Sequence, residues 1–204
     1  MSLHSRRQMV RPTTNRWKRW HRHHSVHFVK ILIRNILCCW VVAAFFAPVA
    51  SAAVAYSFPS YGPTVPGNRA CIRGGVACAP SEAPLSVKRA IWAGNQLRSK
   101  PYRFGGGHRS FHDSGYDCSG TVSYALAGAG LVRIPLNSSE FRRYGSQGRG
   151  KWITIYARSG HAFAVIAGLR LDTTAWNSSR VWAPRWQTIP RAPAGFEARH
   201  PVGL

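Results

Sequence analysis

Acidic side chains are scarce in this sequence: 6 Asp and Glu stand against 28 Lys and Arg in 204 residues, a net charge of +22. That scarcity excludes a charge-balanced surface. Part of the excess is local, since residues 1–34 carry nine basic residues (Arg6, Arg7, Arg11, Arg16, Lys18, Arg19, Arg22, Lys30 and Arg34) and no acid. The remaining 170 residues still hold 19 basic residues against 6 acidic ones, a balance of +13. Such a surface concentrates anionic partners by long-range attraction, and nucleic acid, anionic lipid and a carboxylate-rich cell wall all qualify. Internal repeats and recognised nucleic-acid-binding motifs are absent, and no nucleic-acid partner is expected. Wholesale disorder is also excluded, because 45% of the residues are apolar and sufficient for a packed core. The length favours one globular domain with additional terminal segments.

Long hydrophobic runs are equally few. The clearest covers residues 35–50, NILCCWVVAAFFAPVA, which is shorter than the ~20 apolar residues of a spanning helix. A basic stretch precedes it and small residues follow, the order of a secretory signal peptide. Two A-x-A cleavage sites are visible, Ala50-Ser51-Ala52 and Ala53-Val54-Ala55. The rival reading is an uncleaved anchor through residues 35–55, and the start is either Met1 or Met9. The stretch from Trp17 to His24, with its three His and three basic residues, reads as the basic flank of this signal. The chain is therefore divided into an export segment (1–55), a Pro- and Gly-rich linker (56–80) and a folded domain (81–204). A periplasmic or extracellular location is expected.

Cysteine is sparse and odd in number. Of five, Cys38 and Cys39 lie in the export run, leaving Cys71, Cys78 and Cys118. In an oxidising compartment an odd count implies a free thiol or an intermolecular bond. Cys71 and Cys78 bracket a flexible stretch and form a candidate disulfide, which leaves Cys118 free. The alternative is that Cys118 pairs with one of them and is inert.

Periodic apolar positions at Leu85, Val87, Ile91 and Leu97 predict a helix over about 84–98. Tyr102-Arg103-Phe104-Gly105-Gly106-Gly107 breaks that pattern as a turn. A second helix follows, starting at Cys118 and ending at Gly128-Ala129-Gly130. Beyond residue 150 the pattern alternates as strands do, over 151–156 and 161–166. A third strand over 169–173 follows a connection at Gly168-Leu169-Arg170. Helices first and strands later predict an α+β fold, with N-terminal helices on one side of an antiparallel sheet.

The chemistry follows from that layout. A thiol attacks as thiolate, and a helix N-terminus or a neighbouring His favours the thiolate. First-turn amides there also point where an oxyanion would form. His161, opening a strand, is the candidate base. Asp172, eleven residues on, would fall roughly opposite it in a hairpin and orient the ring. Neither a metal nor a cofactor is called for.

At Pro101-Tyr102-Arg103-Phe104-Gly105-Gly106 and Tyr116-Asp117-Cys118-Ser119-Gly120 the sequence resembles the NlpC-type cell-wall cysteine peptidases, a bacterial family with a compact papain-like fold. The resemblance runs from about Ala90 to Thr174 and includes Gly160-His161 leading into a strand. It implies Cys118 as nucleophile, His161 as base and Tyr102 near the oxyanion, with Asp117 and Ser119 holding the substrate peptide. It also implies hydrolysis of an amide in the peptidoglycan stem peptide, by a monomer. Two departures mark the chain as divergent. The family's third residue is commonly His, Asn or Gln where Asp172 stands here, and Arg158-Ser159-Gly160 replaces a Gly-Asp pair. Arg103, with Arg109 and Arg170, is a candidate for binding substrate carboxylates. His200 is a second-rank site candidate. Two competing readings remain: an amidase or acyltransferase on the same scaffold, and a non-enzymatic protein that binds an anionic envelope surface.

Overall fold

Three short strands come first, three helices follow, and six strands complete the described chain. The computed structural model describes residues 57–174, 183–188 and 190–204, so the expected export segment lies outside the described residues. Among the described residues no helix is long and apolar enough to cross a membrane.

Helix α1 spans Leu85–Gln96 and buries Val87 and the consecutive residues 90–94, so it is enclosed on all sides over that stretch. Helix α2 spans Cys118–Gly128, and every one of its residues is buried. A helix apolar all round has no solvent face, and α2 accordingly packs on α1 on one side and on the sheet on the other. A short helix, α3, covers Ser138–Phe141. The sheet is antiparallel, with strands β4 (Ser146–Gln147), β5 (Ile153–Arg158), β6 (His161–Ile166), β7 (Leu169–Asp172), β8 (Arg185–Gln187) and β9 (Glu197–His200). Their order is β4-β9-β5-β6-β7-β8. Ile153, Ile155 and Ala157 of β5, with Ala162, Ala164 and Ile166 of β6, form one core with Val122 and Leu126 of α2 and Ile91 of α1. The alternation of these positions is the period-two pattern legible in the sequence. The α+β class, with helices packed on an antiparallel sheet, is thus as expected.

Three details differ from expectation. The β6–β7 connection is the two-residue turn Ala167-Gly168, with φ of 48° and 92°, rather than Gly168-Leu169-Arg170. Two consecutive positive φ values match the right-handed twist of a hairpin. The C-terminal segment contributes a strand outside those the alternation marked, because β9 inserts between β4 and β5.

The stretch 56–80, read as a linker, is built into the fold. Its strands β1 (Thr64–Val65), β2 (Cys71–Arg73) and β3 (Val76–Pro80) form a small sheet. It escaped the sequence reading because its strands are short and its anchors are distant. The Asn95 side chain of α1 both accepts from Ala77 N and donates to Ala77 O, each at 2.9 Å, as a neighbouring strand would. Trp92 Nε1 donates to Pro63 O at 3.1 Å. Among the described residues the folded unit thus takes in 57–80 as well as the stretch from 81 onward.

Close approach of α1 and α2 rests on Gly128, where a Cβ would lie 2.4 Å from Ala93 Cβ. Gly128→Ala should therefore destabilise the protein by about 1–3 kcal/mol through overpacking. Ala93→Gly in the same chain should recover part of the loss. Denaturant unfolding of the three variants measures both; an unchanged midpoint in Gly128→Ala would show that the helices do not meet there.

Candidate active site

Cys118 is the first residue of α2, and its setting is made by the two glycine-containing blocks. Asp117 caps the helix: its Oδ1 accepts from Gly120 N at 2.8 Å and from Ser119 Oγ at 3.2 Å, and its Oδ2 from Gly105 N at 3.1 Å. The Asp117 carbonyl takes Thr121 N. The loop carrying Gly105 and Gly106 is drawn so close that a Cβ on Gly120 would stand 2.1 Å from Gly106 O. Glycine at 120 is therefore a steric requirement of the Asp-Cys-Ser-Gly block. The cap takes up the amides of Gly120 and Thr121, and the amides of Cys118 and Ser119 are the other first-turn donors at this helix end.

His161 opens β6. Pairing of Ala164 with Leu171 sets Asp172 beside Phe163 and diagonal to His161, a distance side chains span. His161 Nε2 lies 3.1 Å from Asp172 Oδ1, and the ring also hydrogen-bonds Cys118, for which Nδ1 is the nitrogen left. All three side chains are nearly buried, with Cys118 and His161 each 8% exposed. Burial by itself pushes the imidazole down, but the hydrogen bonds to Asp172 and Cys118, with their charges, more than offset it and raise His161 to about 9. Asp172 shows the converse. Burial pushes its carboxyl up, yet His161 and the Thr174 backbone and hydroxyl groups hold it at about 2. Oδ1 accepts from Thr173 N at 2.7 Å and Thr174 N at 3.1 Å, and Oδ2 from Thr174 Oγ1 at 2.9 Å. Arg191 Nη1 sits 3.2 Å from Oδ2 and Arg170 Nε 3.6 Å from it.

Three expected catalytic residues thus meet. Tyr102 forms a backbone bridge to Tyr116, and its hydroxyl is raised by burial and then by the charges of Cys118 and Asp117, which puts it at the same site. Asp117 and Ser119 were expected to hold a substrate peptide; both are buried and turned into the helix cap instead. Arg103 is turned to Ser114 Oγ at 3.0 Å and Asp113 Oδ1 at 3.5 Å. Arg109 is exposed on the loop, and Arg170 is buried behind Asp172 and bonded to Gln187, so it presents no surface charge beside the sulfur. His200 is away from the site, on β9, where Nδ1 meets Gly148 O at 3.1 Å. Cys71 and Cys78 are direct cross-strand partners in β2 and β3, the placement a bridge between them would need, and Cys118 stands apart from both on α2.

Sequence reasoning missed His108, Phe196 and Arg191. His108 Nε2 is 2.9 Å from Asp117 Oδ2 and 3.1 Å from Ser119 Oγ. The Asp117 hydrogen bond raises its pKa against the opposing effect of burial. Phe196 packs edge-on to His161 at 6.0 Å, and Arg191 lies over the Phe163 and Phe196 rings. None of the three carries a periodic or motif signal, since each reaches the site from a separate loop. Among the described residues no three His, Cys, Asp or Glu side chains gather to hold a metal ion.

No protein-family model matches the sequence, and no curated protein matches it. One similar solved structure is that of RipB, a peptidoglycan hydrolase from Mycobacterium tuberculosis. It shares 22% sequence identity at a TM-score of 0.44, over 58% of this chain and 66% of that chain.

The His161–Asp172 contact has a pH signature. A His pKa raised from 6.5 to about 9 contributes stability fully present below 6.5 and lost as pH rises through about 9. A carboxyl lowered from 3.8 to about 2 contributes stability present above 3.8 and lost as pH falls through about 2. Asp172→Asn should therefore move the His161 titration downward and flatten the wild-type loss of stability between pH 6.5 and 9. Ring-proton NMR and thermal unfolding across that range test this; equal His161 titrations in both proteins would rule the coupling out.

Proposed function

We propose that this chain is an exported cysteine hydrolase of the NlpC type that cleaves amide bonds in peptidoglycan stem peptides. The observation that carries the reading is the single imidazole hydrogen-bonded at once to a thiol at a helix N-terminus and to a buried carboxylate. The order of parts, a helix-borne Cys before a strand-borne His and Asp, is also the order the motif resemblance implies. Export rests on the basic, apolar and small-residue succession of residues 1–55.

His161 takes the Cys118 proton and becomes an imidazolium held by Asp172. The thiolate adds to the amide carbonyl carbon, and the Cys118 amide, at the positive end of α2, faces the developing oxyanion. His161 then passes its proton to the leaving amine as the C–N bond breaks, leaving a thioester on Cys118. Water, deprotonated by His161, attacks the thioester and releases a carboxylate and the thiol. Asp172 stays ionised throughout and fixes the ring so that one nitrogen always faces the sulfur. Tyr102 stands beside this centre.

Purified chain retaining residues 57–80, whose strands brace α1, should release new amino groups from peptidoglycan. Cys118→Ala and His161→Ala should each abolish release, and Asp172→Ala should reduce it by about 10²–10⁴-fold. Mass spectrometry of the fragments reports the bond cut. Wild-type release by Cys118→Ala would falsify the assignment, and a sugar–peptide bond cut would move the activity to the amidase reading.

A further inference from the structure

The sheet face opposite the helices carries a second concavity, of about 490 Å³, that the proposed reaction does not use. Five cationic side chains line it: Arg69, Arg149, Lys151, Arg170 and Arg191. No Asp or Glu is in the lining; Asp172 lies behind Arg170 and Arg191, and Glu82 shares an adjoining hollow with Arg69 and Lys151. In a chain with 6 acids this is a concentration of one sign around one hollow.

Two of the four guanidinium groups, those of Arg170 and Arg191, are held by side-chain hydrogen bonds, and a third, that of Arg69, lies against the β6–β7 turn. Ala70 N donates to Ala167 O at 2.9 Å and ties the Arg69 segment to the β6–β7 turn, where the bare Gly168 lets the Arg69 side chain lie across it. Arg170 is bonded to Gln187. Arg191 donates to Thr174 Oγ1 at 2.8 Å and stacks on two rings. Arg149 and Lys151 are exposed at the rim. Positioned guanidinium groups lose little freedom on meeting an oxyanion, and their planar donors fit phosphate oxygens in pairs. Five cations facing one recessed carboxylate call for a ligand with several negative charges.

We propose that this cleft binds a phosphate-bearing ligand of more than one negative charge. The cleft and the Cys118 site share Asp172 through Arg170 and Arg191, so the test variants are placed at the rim, at Arg149 and Lys151, which contact none of the reacting groups. A soluble phosphate ester and an anionic lipid headgroup offer the same chemistry, and the experiment separates them.

Full-length protein is titrated with tripolyphosphate by calorimetry and, separately, co-sedimented with vesicles of cardiolipin, whose headgroup carries two phosphates, in phosphatidylcholine. Arg149→Glu with Lys151→Glu reverses charge at two exposed rim positions. Arg133→Glu with Arg143→Glu makes the same net change at exposed positions outside the lining. Binding of either probe that weakens at least about tenfold in the first variant, and stays within about twofold in the second, supports the cleft. The probe that binds identifies the source. Equal weakening in both variants would show only bulk attraction to a basic protein and would overturn the proposal, as would no binding of either probe. Cys118→Ala should bind the probe as wild type does, whatever becomes of hydrolysis.

Discussion

The fold is organised around a helix with no solvent face. Because α2 is buried along its whole length, its N-terminus can project only where the sheet and the glycine loop leave room, and Cys118 is fixed there. Asp117 holds that end by accepting from three separate donors while His108 closes over the carboxylate. Small residues make this burial possible: Gly128 against Ala93 on one side, and Ala162 and Ala164 facing α2 on the other. The same requirement for close approach explains why glycines crowd the two sequence blocks that flank the thiol.

Asp172 is the second fixed point. A carboxylate at the interior of a sheet is costly unless paired. Here it collects a histidine, two arginines, two backbone amides and a threonine hydroxyl. So many donors keep it ionised, and that charge holds the His161 imidazole protonated well above the ordinary range. Arg191 and Arg170 reach it from the face that also forms the basic cleft. One carboxylate therefore stands between the proposed chemistry and the proposed anion site, with His161 on one side and guanidinium groups on the other.

The segment ahead of α1 shows how little composition says about order. Residues 57–80 are rich in Pro and Gly, yet one Asn side chain on α1 supplies both hydrogen bonds of a missing strand partner and one Trp anchors the loop. That hairpin brings Cys71 and Cys78 into direct cross-strand register, as their spacing allowed.

Local pattern determined much of this protein. The spacing of Leu85, Val87 and Ile91 marked α1, the start of α2 fell at Cys118, and alternation over 151–156 and 161–166 marked the central strands, β5 running two residues farther on, at Ile153–Arg158. Those regularities express contacts between residues near in sequence, which is why they are legible one residue after another. The thiol, imidazole and carboxylate were legible as candidates for the same reason, each occupying an element boundary with a recognisable signal. Tertiary structure alone decided that Asp117 and Ser119 turn into a cap, that Arg170 is buried rather than presented, and that β9 enters the sheet. It also decided that His108, Arg191 and Phe196 converge on the site. Each of these depends on which distant segments pack together, a question answered by burial and pairing across the whole chain and written in no short stretch of it.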